Sequence, residues 1–209
     1  MPSPPSRQEH SLWLAHVIVQ TMVAAAQSCV TIADYRRENS VVLTLGSETL
    51  KPDGSMQLKA DDGREFNFFL ELDNGTEPIV SPQERESIER KIRFYERLQD
   101  SVLVSWRRGD RKRPPPRYRV LFLLRSMQRN KHVLRTARQV ASNASRRLCL
   151  GVLVADYLSE PNPLRSPIAV DHHGRWQGIV SEAYEAQFQR EPLRLEPVAT
   201  PLFASANIT

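Results

Sequence analysis

FNFFLELDNGT, residues 66–76, is the stretch on which the fold turns. Its apolar positions run almost unbroken from Phe66 to Leu72, the pattern of a strand covered on both faces rather than one with a wet side. Asn74-Gly75 ends it with a turn dipeptide. Two acids, Glu71 and Asp73, close the strand, and because strand side chains alternate they share one face. Carboxylates gathered at a strand end repel one another unless a cation, a proton or solvent sits among them, so the same stretch bears on chemistry as well as fold.

Outward toward the N-terminus, Asp62-Gly63 marks a tight turn and residues 55–58 read as a strand. Pro52-Asp53-Gly54 reads as a turn joining it to a further strand over 41–45. Residues 11–28 carry Leu12, Val17, Val19, Met22, Val23 and Ala26, which predicts a largely buried helix with Ser11 as its N-cap. Toward the C-terminus, Ser81, Pro82 and Glu84 form a capping-box pattern opening a helix in which Ile88, Ile92, Tyr95 and Leu98 recur at helical spacing. Residues 120–124 predict a buried strand, 131–142 a helix and 148–155 another buried strand. The elements therefore run α, β, β, β, α, β, α, β, an α/β or α+β fold with a central sheet flanked by helices. Residues 181–189 are expected to form a short helix, and the chain beyond Pro192 a poorly ordered tail. The expected divisions are a disordered segment over 1–10, a core over 11–160 and a partly irregular extension over 161–209.

With 209 residues, 40% hydrophobic and 25% charged, the chain has the balance of one globular domain with tails, which excludes a disordered chain, a collagen-like repeat and a small disulfide scaffold. Its apolar stretches are too short or too interrupted to span a bilayer, and the polar, proline-rich start has no signal pattern, so a cytoplasmic protein is expected. Cys29 and Cys149 lie far apart in apolar sequence without a C-x-x-C spacing, which predicts reduced core cysteines and no structural zinc. Among the histidines, adjacent His172 and His173 are expected in a polar loop rather than on a metal.

The net charge of +5 hides an asymmetry: fourteen of the 29 Lys and Arg lie between Arg107 and Arg147, with Asp110 the one acid there. That segment is +13, and the remaining 15 basic and 23 acidic side chains leave the rest at −8. Clustered cations displace counterions from nucleic-acid phosphates, so DNA, or RNA, is the expected partner through 107–147. Arg107, Arg108, Arg111, Lys112 and Arg113, around a glycine and three prolines, are the candidate backbone contacts. The competing expectation is a solvated basic loop with no specific ligand. Trp106 and Tyr118 at the ends of that loop either stack on bases or pack the loop onto the core.

If an antiparallel neighbour brings Asp53 beside Glu71 and Asp73, three carboxylates converge on a site suited to Mg²⁺ or Mn²⁺. Otherwise Asp53 and Asp73 are turn residues bonding local backbone, and Glu71 is solvated at a strand end. Lys91 shares the inward face of Ile88 and Tyr95, where it either meets an anion or snorkels to the surface.

PDG at 52–54, the apolar strand running into ELDNGT at 71–76, and KIRFYERL at 91–98 together resemble the replication-relaxation family of plasmids and other mobile elements. HSLWLAHVIVQ before this core and VLFLL after it fit the same pattern, over roughly residues 10–155. The winged-helix DNA reader common in that family is not expected ahead of residue 11. The core in turn is similar to PD-(D/E)XK nucleases of the restriction-endonuclease-like fold, an αβββαβ unit. That resemblance implies Asp53 and Glu71 as metal-binding acids, with Asp73 at the position of the usual lysine and Lys91 as its replacement from the following helix. It also offers Glu38 as a further acid. The function implied is a DNA-associated protein of plasmid replication or relaxation. It would be either a Mg²⁺-dependent phosphodiesterase using Asp53, Glu71, Asp73 and Lys91 or a non-catalytic nucleic-acid-binding or assembly module, and other replication or mobilisation proteins are possible partners.

Overall fold

A computed structural model describes residues 7–75, 77–81, 87–109, 117–143, 145–180, 193 and 195. Its elements follow in the order α1 (Arg7–Gln27), β1 (Val30–Arg36), β2 (Leu43–Leu45), β3 (Glu48–Leu50), β4 (Gly54–Ala60), β5 (Glu65–Asp73), α2 (Ile88–Arg108), β6 (Arg119–Leu124), α3 (Met127–Val140), β7 (Cys149–Leu153), α4 (Val154–Ser159), β8 (Ala169–Asp171) and β9 (Trp176–Gln177). Seven strands form one sheet in the order β1-β4-β5-β6-β7-β8-β9. The ladders are antiparallel from β1 to β5, parallel from β5 to β7, and antiparallel again to β9. The expected α+β class, a central mixed sheet flanked by helices, is what the chain adopts.

Two apolar layers sandwich the sheet. Phe66, Phe68, Leu70 and Leu72 of β5 face one layer, shared with Leu14, Val17 and Ile18 of α1 and Tyr157 of α4. The other layer joins Val120, Phe122 and Leu124 of β6 to Ile88, Ile92 and Tyr95 of α2 and to Val133 and Ala137 of α3. With both faces covered, β6 has no wet side to mark with alternating polar residues, whereas β5 is covered on both faces only from Leu70 onward, Glu65 being exposed and Asn67 and Phe69 half-buried. α2 and α3 are the crossovers that return the chain for parallel pairing. α3 lies so close to β7 that a Cβ on Gly151 would stand 2.0 Å from Asn130 Oδ1, so any larger residue there would displace the Asn130 side chain.

Several expectations are corrected. β4 pairs with β1, a strand the periodicity did not reveal: its register slips between Ile32 and Asp34, and a bulge breaks the alternation that a reading of sequence relies on. Residues 43–45 pair instead with β3, in a two-stranded hairpin between β1 and β4. Asp53 therefore sits at the entry to β4, one position outside the Gly54↔Leu70 pair, and not at the tip of a hairpin. α1 begins at Arg7 and so includes part of the segment expected to be disordered, which puts Ser11 inside the helix. Its Leu12, Val19, Met22 and Val23 are exposed, while Leu14, Val17, Ile18, Ala24 and Ala25 are buried; a helix apolar nearly all round does not declare its inner face by pattern.

α2 begins at Ile88, where the Ser87 hydroxyl accepts from the Arg90 amide as N-cap; residues 82–86, including Pro82 and Glu84 of the expected capping box, lie outside the described residues. α3 starts at Met127 behind the N-cap Ser126, four residues earlier than expected. The sheet continues through β8 and β9, beyond the expected boundary at 160. Cys149 is buried as expected, but Cys29 is exposed. The expected helix over 181–189 and the tail beyond Pro192 fall on residues that, apart from 193 and 195, are not described. No helix among the described residues is long and apolar enough to cross a membrane.

Candidate functional site

The antiparallel β4–β5 ladder brings Asp53 and Glu71 out at the same end of two adjacent strands. Asp53 is fastened to β5 from both its backbone and its side chain: its amide donates to Leu70 O at 3.0 Å, and its Oδ2 accepts from the Leu72 amide at 2.7 Å. Its second oxygen, Oδ1, lies 3.2 Å from Nε2 of His10 in the first turn of α1. His10 Nδ1 in turn is 2.9 Å from the Asn74 side-chain amide. The bond to Asp53 holds the His10 pKa above its usual value, against the opposing effect of burial. Glu38 completes this corner: a nitrogen of His10 and carboxylate oxygens of Glu38 and Asp53 all lie within 4.8 Å of one another.

Glu71 is 2% exposed, and both its oxygens are engaged from α2. Oε1 accepts from the Tyr95 hydroxyl at 2.6 Å, and Oε2 lies 3.0 Å from Lys91 Nζ. The helical spacing of Lys91 and Tyr95 puts both above the end of β5. Lys91 also reaches Glu77 Oε2 at 2.9 Å, so it bridges two carboxylates rather than snorkelling. Burial, reinforced by the nearby Asp53 charge, pushes the Glu71 carboxyl up to about 7 in spite of Lys91 and Tyr95. Burial opposes the charge on Lys91, but Glu71 and Glu77 outweigh it and hold that pKa above the usual lysine value. The Tyr95 phenol, raised by burial and by Glu71, stays protonated and keeps donating.

Asp73 shares a face with Glu71 but serves another partner. Its carboxylate pairs with Arg129 of α3, with Nη2 3.1 Å from Oδ1 and a second contact from Nε, and it accepts from the Gly75 amide at 2.8 Å. The Arg129 guanidinium also donates to the Glu77 carbonyl. Asp73 thus ties the end of β5 to α3, while Asp53, Glu71 and Lys91 gather on the α1 and α2 side. His10, Glu77 and Arg129 were not singled out from the sequence. The acid of Glu77 so close to ELDNGT was the available signal, and His10 was hidden by lying in a stretch expected to lack structure.

Arg107 and Arg108 lie exposed in the last turn of α2, about 24 Å along the helix from Lys91 at 1.5 Å per residue, and Arg111, Lys112 and Arg113 lie outside the described residues. The basic stretch is less free than its charge suggests. Arg125 pairs with Glu9, Arg129 with Asp73, and Arg146 with Glu96 and Asp100.

Comparison with known proteins adds one decisive observation: the family model described as replication-relaxation matches residues 3–109. The chain belongs to the replication-relaxation family. The match runs from α1 to the end of α2 and so contains His10, Glu38, Asp53, Glu71, Lys91 and Tyr95, whereas β6 to β9 and Arg129 lie beyond it. No curated protein and no solved structure matches the chain.

Proposed function

We propose that the protein acts on DNA in plasmid or mobile-element replication, a role its family suggests, and that the corner built from Asp53, Glu71 and Lys91 is a phosphodiester-hydrolysing centre of the PD-(D/E)XK kind. The observation that carries this is the meeting of two carboxylates from adjacent strands with a lysine delivered by the next helix. The donor set suits a divalent cation. Asp53, Glu38 and His10 offer two hard oxygens and an imidazole nitrogen within reach of one another, a mixture that favours Mn²⁺ alongside Mg²⁺. Asn74 Oδ1, on the amide beside His10, is buried without a partner, a further oxygen close to that corner. A bound cation would supply Lewis acidity to a phosphoryl oxygen and to an attacking water.

The protein's own groups divide the remaining work. Lys91, held cationic by Glu71 and Glu77, stabilises negative charge developing on the phosphate. Glu71 fixes Lys91 in place through the contact of its Oε2 with Lys91 Nζ. Asp73, occupied by Arg129, is an anchor of this corner rather than a ligand. Arg107 and Arg108, with Arg111, Lys112 and Arg113, contact the DNA backbone away from the reacting bond. The test is to incubate purified protein with supercoiled and single-stranded DNA and Mg²⁺ or Mn²⁺. Cleavage is expected and is lost in Asp53→Ala and Glu71→Ala; cleavage indifferent to both substitutions removes the site.

A non-catalytic binding or assembly platform has one specific observation in its favour: both Glu71 oxygens and Asp53 Oδ2 are already hydrogen-bonded within the protein. It predicts DNA binding that persists with no cleavage under any of these conditions.

A further inference from the structure

At the opposite end of the sheet from Asp53 and Glu71, where β5, β6 and β7 begin, lies a cavity of about 320 Å³. That is the lower end of the range of small-molecule sites, roughly 300–1,000 Å³. Four arginines line it: Arg117 and Arg119 at the entry to β6, and Arg146 and Arg147 ahead of β7. Glu65 is the one acid in the lining. Arginines lining a concave polar space offer the chemistry that recognises phosphate, because a guanidinium presents a planar fork of donors that keeps its charge at any physiological pH.

The cavity is also built rather than merely basic. Arg146 is 13% exposed and is held between Glu96 and Asp100, with Nη1 2.6 Å from Glu96 Oε2. The strand entry beside it is pinned by three contacts: the Tyr118 amide donates to Gln99 Oε1 at 3.1 Å, the Tyr118 hydroxyl to Tyr95 O at 2.7 Å, and the Asn67 side-chain amide to Arg117 O at 3.1 Å. Arginines whose backbone and neighbours are fixed lose less entropy on binding than arginines on a free loop.

We infer that this cavity binds a nucleoside phosphate, either a free nucleotide or the 5′-phosphorylated terminal nucleotide of a DNA strand. The size admits one such unit, and Arg117, Arg119 and Arg147 take its phosphates, with Arg146, held by Glu96 and Asp100, a fixed part of the wall. The inference is independent of the catalytic proposal, since no residue of the Asp53 corner lines the cavity and no cation is required.

The full chain is titrated, in the absence of divalent cation, with dATP and with a short oligothymidylate in 5′-phosphorylated and unphosphorylated forms. Binding of dATP, or at least a tenfold preference for the phosphorylated oligomer over its unphosphorylated twin, is expected; the first result identifies a free nucleotide and the second a strand end. The variant Arg117→Gln/Arg147→Gln is expected to weaken that binding about tenfold or more for the charge-assisted contacts removed. Circular dichroism checks the fold of the double variant; if it fails to fold, Arg117→Gln alone, on an exposed side chain, is expected to weaken binding several-fold. Equal binding of both oligomers with none of dATP, wild-type affinity in the folded variants, or no binding of any probe at millimolar concentration overturns the assignment.

Discussion

Glu71 is the buried carboxylate on which Lys91 and Tyr95 converge. Its folded pKa of about 7 lies above the 4.5 it has when solvated, so the folded chain holds the proton more tightly than the unfolded one. The sign follows: the stabilising contribution is complete below about pH 4.5 and is lost as pH rises through about 7. The loss is on the order of 1–3 kcal/mol over that window. In Glu71→Gln, which cannot titrate, the decline in unfolding free energy between these pH values is expected to flatten, as read by urea denaturation at a series of pH values. Parallel wild-type and variant curves would mean that Glu71 titrates as an ordinary surface acid. Of the residues in this corner, Asp53, Glu71 and Lys91 were legible from the sequence because each stands in a recognisable setting: a Pro-Asp-Gly turn, a buried strand end, the inward face of an amphipathic helix. His10 was not, since nothing local in a proline-rich opening says that a helix begins at Arg7 and delivers its first turn to a distant strand.

At the scale of elements, the salt bridge between Asp73 and Arg129 joins the end of β5 to the start of α3. The Asp73 side chain is 2% exposed, so removing Arg129 strands a buried carboxylate rather than merely losing an attraction. Arg129→Ala is expected to cost about 3–5 kcal/mol in chemical denaturation. A loss below about 1 kcal/mol would be the behaviour of an exposed ion pair and would contradict the anchoring role. Strand β6 could be read directly because coverage on both faces leaves a continuous apolar run, and β5 because Phe66, Phe68, Leu70 and Leu72 line one buried face. β1 could not, because its bulge and its Asp34 and Arg36 disguise a strand whose identity depends on pairing with β4, some twenty residues away. Residues 43–45 read as a strand of the main sheet for the converse reason: their local pattern is strand-like, and only pairing with β3, which the sequence did not reveal, shows that they stand outside it.

Over the whole molecule, the sequence's concentration of positive charge is partly spent inside the fold. Arg125, Arg129 and Arg146 pair with acids from α1, β5 and α2, which leaves at most eleven of the fourteen basic side chains between Arg107 and Arg147 for a polyanion. With about 0.9 counterion released per neutralised phosphate of duplex DNA, the slope of log binding constant against log salt is expected to be shallower than about −10. Filter binding or anisotropy across a salt series measures it, and affinity insensitive to salt would contradict a phosphate-contacting basic segment. The molecule thus has two differently charged ends: carboxylates with Lys91 where β5 ends, and arginines where β5, β6 and β7 begin.

The central claim is that Asp53 belongs to a cation-binding corner where β4 begins and β5 ends, and calorimetric titration of the full chain with Mn²⁺ tests it most directly. The wild-type protein is expected to bind Mn²⁺ with an affinity that rises as pH increases through the His10 and Glu71 titrations, and Asp53→Ala is expected to lose that binding while remaining folded. Identical Mn²⁺ isotherms for the wild type and a folded Asp53→Ala variant, or no binding by either, would contradict it.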